Sequence, residues 1–292
     1  MSTPRVAPRR HPPARRFLFA LAERCARLLG GRAYYRRWRL GPGRFRVRHE
    51  VLEIAELPAV LEGFRIAHLS DLHAGPFLGR GDLRHVLAAL HAEAPDAVAL
   101  TGDFCAHQPE DALRVLPDLA QLQAPSGCFA VFGNHDYRGR REHEIAAQYG
   151  AQGVRFLRNE GVRLQRDGES LPLVITGLED LEEARELDVH AARKELRPGD
   201  VEVLLCHNPL GARVLARKGC AAILSGHTHG TQVDLPYLRG LGPAHPGLRV
   251  DLGTTSLIVS RGLGVVGLPI RVGVPAELVL VELRSAASGA TL

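Results

Sequence analysis

"AAILSGHTHGTQ", residues 221–232, is an apolar run that stops at Ser225-Gly226 and then sets His227 and His229 one residue apart before Gly230. A short apolar run closed by glycine predicts a buried strand. The same grammar recurs upstream in "FRIAHLSDLH" (64–73), "DAVALTGDF" (96–104), "CFAVFGNHD" (128–136) and "VEVLLCHNP" (201–209). Between these runs, "GDLRHVLAALHAEA" (81–94) puts Leu83, Val86, Leu87 and Leu90 on one helical face, and "EDALRVLPDLAQLQ" (110–123) and "GARVLARKG" (211–219) also predict helices. "LPLVITGLED" (171–180), "LRVDLGTTSLIVSRG" (248–262) and "ELVLVELR" (277–284) predict further strands, and the acidic "LEDLEEARELD" (178–188) predicts a solvated helix face. Strands alternating with helices define an α/β class, with one domain expected over residues 51–285 and a tail over 286–292.

The 292-residue chain, 45% hydrophobic, is long enough to bury a sizeable core. Its net charge of +5 is unevenly spread: residues 1–50 hold 14 Arg against 2 Glu, leaving the other 242 residues at −7. Within residues 1–50, Phe17, Leu21, Cys25, Leu28 and Leu29 recur at helical spacing among arginines. That pattern predicts a basic amphipathic segment suited to an anionic membrane surface. The apolar stretch "FLFALA" is too short to span a bilayer, and no cleavage site follows Arg15-Arg16, so export is not expected. No base-reading motif accompanies the basic charge, so a nucleic-acid polymer is not an expected partner. Five scattered cysteines without a CxxC pair disfavour a disulfide framework and fit a cytoplasmic setting, extended to the inner face of the cytoplasmic membrane if the basic segment docks there.

Loops beyond the carboxyl ends of sheet strands converge on a ligand crevice. Five strand ends here carry Asp71 and His73, Asp103, Asn134 and His135, His207, and His227 and His229. Carboxylate, amide and imidazole donors without cysteine suit divalent manganese, iron or zinc. Seven ligands exceed one tetrahedral ion and match two ions sharing a carboxylate, the two-metal arrangement for hydrolysing phosphoesters or pyrophosphates.

The series "DLHAG", "GDF", "GNHD", "CHNP" and "GHTHGTQ" resembles the calcineurin-like metallophosphoesterases. The later "SRGLGVVGLPIRVGVPAELVLVEL" (260–283) looks like their bacterial YkuE/YaeI-like branch, some members of which resemble UDP-2,3-diacylglucosamine pyrophosphatases. The resemblance implies a four-layer sandwich, two mixed β-sheets flanked by helices, with a dimetal site at strand ends. It assigns one ion to Asp71, His73, Asp103 and His229 and the other to Asp103, Asn134, His207 and His227, manganese being favoured. His135 would protonate the leaving oxygen or stabilise the transition state while a hydroxide between the ions attacks phosphorus. Asp136 would orient its turn, His68 would support the ligands, and Arg261 is the candidate phosphate contact. The "GDYVDRG" signature of protein phosphatases does not follow Gly102-Asp103, which disfavours that activity. A soluble phosphodiesterase of small nucleotides and a non-catalytic membrane scaffold are the competing expectations.

Overall fold

A computed structural model describes residues 13–234 and 247–286, with side chains described from residue 17. Twelve strands form two six-stranded sheets among the described residues. They are β1 (Arg46–Ile54), β2 (Arg65–Leu69), β3 (Ala97–Thr101), β4 (Cys128–Val131), β5 (Val154–Phe156), β6 (Glu160–Arg166), β7 (Glu169–Gly177), β8 (Val201–Leu205), β9 (Cys220–Ser225), β10 (Arg249–Leu252), β11 (Thr255–Val259) and β12 (Glu277–Ser285). The first sheet has the order β1-β12-β2-β3-β4-β5 and the second β10-β11-β9-β8-β7-β6. The central strands β2 to β5 run parallel, as do β7, β8, β9 and β11. Antiparallel pairs occur where β12 meets β2, β6 meets β7, and β10 meets β11. Both sheets are therefore mixed.

The period of two in a strand decides which layer each side chain enters. In β3, Ala97 and Ala99 join the core between the sheets, whereas Val98 and Leu100 face the helices outside the first sheet. In β8, Val201, Val203 and Leu205 enter the same central core while Leu204 faces outward. Burial on both faces explains why these strands read as continuous apolar runs. Helices α1 (Pro13–Leu28), α2 (Gly31–Arg39), α3 (Arg84–Ala92), α4 (Pro109–Leu113), α5 (Leu116–Leu119), α6 (Glu142–Gly150), α7 (Val189–Ala192) and α8 (Ala212–Leu215) complete the fold. Val86, Leu87 and Leu90 of α3 and Ile145 and Tyr149 of α6 cover the first sheet, and Ala192 of α7 and Leu215 of α8 cover the second. The result is the helix, sheet, sheet, helix sandwich.

Several elements depart from the sequence reading. The helix expected over residues 110–123 is two short helices, with Pro117 in the first turn of α5, where its missing N–H is tolerated. "LEDLEEARELD" is no helix: the Asp180 carboxylate accepts from the backbone N–H groups of Glu182 and Glu183, each at 2.9 Å, and curls the chain into a turn. The boundary expected at residues 50 and 51 falls inside β1, which pairs along its whole length with β12. Upstream of β1, Tyr35 is buried and its hydroxyl donates to the carbonyl of Leu263 at 2.7 Å, so α2 is packed into the body. Most of the tail expected over 286–292 lies outside the described residues, as do residues 235–246. No described helix is long and apolar enough to cross a membrane.

Candidate metal centre

The eight polar residues picked out at strand ends follow β2, β3 and β4 of the first sheet and β8 and β9 of the second, all at one end of the sandwich. Their loops are laced together by backbone hydrogen bonds: Asp71 N–H donates to Gly102 O at 3.0 Å, His73 N–H to Asp103 O at 2.9 Å, and Gly226 N–H to His207 O at 3.0 Å. Asp71, His73, Asp103, His227 and His229 all hold left-handed backbone conformations, with φ from 43° to 69°. Such φ values are uncommon outside glycine. They turn the chain sharply enough to aim ligands from successive loops at one point. Gly226 permits the closest approach, because a Cβ there would overlap the Ser70 hydroxyl and the Asp71 carboxylate. A Cβ on Gly133 would lie 2.8 Å from the His207 ring.

Asp103 is the centre of the cluster. Its Oδ2 lies 3.4 Å from His73 Nε2 and 3.4 Å from His207 Nε2, while its Oδ1 accepts from the His135 backbone N–H at 2.9 Å. On one side, His73 Nε2 and His229 Nε2 are 2.9 Å apart, and His229 Nε2 is 3.3 Å from Asp71 Oδ1. On the other, His227 Nδ1 is 3.1 Å from Asn134 Oδ1, and the His227 and His207 rings meet edge to face. Among the described residues, three overlapping sets have donor atoms within 4.8 Å of one another: Asp71, His73 and His229; Asp71, Asp103 and His207; and His73, Asp103 and His135. Asp71, His73 and Asp103 each belong to two of them. His135 stands at the mouth, half-buried, with its ring edge-on to His73 at 4.6 Å.

The electrostatics fit cations. Burial alone would raise the Asp71 carboxyl, but the charge and hydrogen bonds of His229 and His73 hold it well below the ordinary range. Asp103 is likewise held low against burial, chiefly by His207. Burial pushes His68 and His135 each down to about 3 and His227 to about 4, favouring their neutral forms, whereas Asp103, with Asp71 and Asp180, holds the His207 ring well above its ordinary range despite burial, the response of an imidazole to carboxylates that lack another cation. The orphaned atoms agree. His207 donates from Nδ1 to the Thr101 carbonyl at 2.6 Å, which leaves its buried Nε2 without a hydrogen-bond partner and aimed at Asp103. A carbonyl fixing one ring nitrogen while the other faces acidic oxygens is the usual bearing of a metal-bound histidine. Asp71, His73, Asp103, His207 and His229 therefore form donor clusters of the kind that could hold a divalent ion, with Asn134 and His227 beside them.

Supporting residues behave as their surroundings dictate. Asp136 accepts from Phe104 N–H at 2.8 Å and Gly133 N–H at 2.9 Å, tying the third motif to the second; burial and Asp103 raise its carboxyl to about 7. His68 Nε2 is 2.8 Å from Thr101 Oγ1, beneath the cluster. Arg261 extends from the loop after β11 into an ion pair with buried Glu277 at 2.7 Å, and its side chain packs against Gly230. The sequence reading missed Glu182 and Arg138. Glu182 Oε1 is 3.4 Å from His227 Nε2 and accepts from Asn208 Nδ2 at 2.7 Å; burial and Asp180 raise it to about 7. Only the acidic run itself could have signalled it. Arg138, three residues past His135, has its Nη2 3.2 Å from His135 Nε2.

The profile of the calcineurin-like phosphoesterases matches residues 64–231, from the strand before Asp71 to the turn after His229. An uncharacterized metallophosphoesterase of Aquifex aeolicus is 31% identical, covering 82% of this chain and 92% of its own length. The uncharacterized metallophosphoesterase YkuE of Bacillus subtilis is 28% identical over 88% of this chain and 91% of its own. A bovine "transmembrane protein with metallophosphoesterase domain" is 30% identical over 80% of this chain, which spans only 56% of the bovine protein. Among solved structures, the sulfate thiohydrolase SoxB of Thermus thermophilus aligns with a TM-score of 0.42 at 16% identity, over 78% of this chain and 57% of SoxB. On the profile match over more than half its length, the chain belongs to the calcineurin-like phosphoesterase family.

Proposed function

We propose that this protein is a dinuclear metal-dependent phosphohydrolase, cleaving phosphodiester or pyrophosphate bonds. The observation that carries the proposal is Asp103, whose one carboxylate oxygen lies 3.4 Å from imidazoles on both sides of the cluster. Two divalent ions held there would polarise the phosphoryl oxygens and make a bound water nucleophilic near neutral pH. Asp71, His73, Asp103 and His229 would hold one ion and Asp103, Asn134, His207 and His227 the other, with manganese favoured. The reaction adds water across a P–O bond, the new oxygen going to phosphorus and a proton to the leaving oxygen. His135 is our candidate for handling that proton: its Nδ1 donates to the Ala106 carbonyl at 2.9 Å, and its Nε2, which holds a lone pair toward Arg138, would stabilise the transition state and pass a proton to the leaving oxygen only after first taking one up. Arg261 would assist phosphate binding only by exchanging part of its pairing with Glu277. Hydrolysis of bis-p-nitrophenyl phosphate with added manganese tests this reading. His135→Ala should lower it about a hundredfold while metal content stays constant. Undiminished turnover would remove His135 from the chemistry.

A substrate at a membrane surface, such as UDP-2,3-diacylglucosamine or another lipid-linked diphosphate, is the favoured finer reading, and it places the enzyme on the inner face of the cytoplasmic membrane. Its support is the surface of α1 and the residues after it, where Phe17 is 69% exposed, Leu28 79% and Leu29 87%. Arg24, Arg27, Arg36 and Arg37 stand among these apolar side chains, a combination that suits anionic lipid. Glu23 of α1 also reaches His107 at 2.8 Å, one residue beyond the Ala106 carbonyl that holds His135. Phe17→Glu with Leu28→Glu should abolish co-sedimentation with phosphatidylglycerol vesicles at low salt and leave bis-p-nitrophenyl phosphate hydrolysis intact. Unchanged sedimentation would leave a soluble phosphodiesterase of small nucleotides as the better reading.

A further inference from the structure

The segment "YRGRREHE" (137–144) lines the mouth with three arginines of unequal standing. Arg141 is paired with Glu110 and Glu144, and Arg140 reaches the Glu183 carbonyl at 3.1 Å and Glu142 at 3.9 Å. Arg138 differs: among the described residues no carboxylate lies within ion-pair distance of it. Its guanidinium rests on two acceptors instead, the Ala106 carbonyl through Nη1 and His135 Nε2 at 3.2 Å through Nη2. A guanidinium can only donate. His135 must therefore present a lone pair at Nε2, consistent with its Nδ1–H donating to that same Ala106 carbonyl. Arg138 thus rests its positive charge on two neutral acceptors, one of them the imidazole of His135.

Depth gives this arrangement a direction. Asp71, His73, Asp103 and His207 are buried, His135 is half-buried, and Arg138 is exposed. A phosphoryl group seated on the buried ligands would have its outward ester oxygen beside His135, and the next atoms of the leaving group beside Arg138. An anionic oxygen there would accept from Arg138 in a charge-assisted bond far better than the imidazole does. We infer that Arg138 binds a second phosphoryl group on the leaving side, which directs the site toward pyrophosphate esters over diesters whose leaving group is a neutral alcohol or a phenol. The inference rests on the phosphohydrolase reading above. It names a substrate class, a phosphoanhydride, and a recognition residue for it.

The test compares two substrates on one manganese-loaded enzyme: a nucleoside diphosphate sugar, whose leaving group carries a phosphoryl, and bis-p-nitrophenyl phosphate, whose leaving group does not. Arg138→Ala should lower kcat/KM for the diphosphate roughly tenfold or more beyond any loss on the diester, with two ions still bound. Arg138→Lys should recover part of that difference, since it restores charge without the planar fork. Equal losses on both substrates would overturn the inference and make Arg138 a positioning residue for His135. Wild-type enzyme that cleaves the diester and spares the diphosphate would overturn it too, leaving the phosphohydrolase reading in place. Wild-type enzyme that binds two ions and cleaves neither would fail that broader reading instead.

Discussion

The two sheets bring different chemistry to the same crevice. From the first come both ligand carboxylates, Asp71 and Asp103, with Asn134, His73 and His135; from the second come only imidazoles, His207, His227 and His229. Among the candidate ligands, the carboxylates thus come from one sheet alone, while the other adds imidazoles, with Glu182 beside His227. Neither half alone holds a complete ligand set, so the centre exists only where the sheets pack. The core between them, including Ile66, Val131, Val203 and Leu224, sets the spacing. Packing and metal binding are thereby one event read in two ways.

The sharpest way to break this comparison is to neutralise the residue shared across the sheets. Asp103→Asn keeps the volume and removes the charge, and should drop metal content below one ion per chain and phosphodiester hydrolysis to background. Elemental analysis showing two retained ions would mean that the first sheet's charge is not what holds the pair. A smaller effect is expected within the second sheet. His229 faces Asp71 and His73, whereas His227 faces Asn134 and Glu182, so His229→Ala and His227→Ala should each lose a different ion and keep the other. Loss of both ions in each variant would show that the two positions fill only together. The smallest effect lies outside the crevice. Tyr35→Phe removes a buried hydroxyl bonded to Leu263 O and Arg271 Nε, and should lower unfolding stability in urea by about 1–2 kcal/mol without changing metal content. A stability change near zero would mark α2 as an appendage, as its sequence suggests.

The strand-end ligands were legible because each lies just past an apolar run, a local pattern that buried parallel strands impose. Asp71, Asp103 and His207 are each read from fewer than ten neighbouring letters. What was illegible depends on partners far along the chain. Arg261 looks like a free phosphate contact until Glu277, 16 residues on, is seen to hold it. The acidic run at 178–188 has helical composition, yet Asp180 spends its side chain on the backbone two and three residues ahead, a local competition that composition does not reveal. The strand β1 was hidden for a related reason. Its alternation of arginine with apolar residues merges into the basic segment before it, and only pairing with β12 separates the two.

The left-handed backbone at five of the ligand positions also bears on heat resistance. Each such residue that is not glycine costs about 1–2 kcal/mol relative to an ordinary conformation, and the buried carboxylates and orphaned imidazole nitrogen add to that tension. Ions that bind only the folded chain offset it through mass action, by about 2.7 kcal/mol at a hundredfold excess over the dissociation constant. The melting temperature of this protein should therefore track the free concentration of its metal, so that the centre serves as a latch on the fold as well as a place for chemistry.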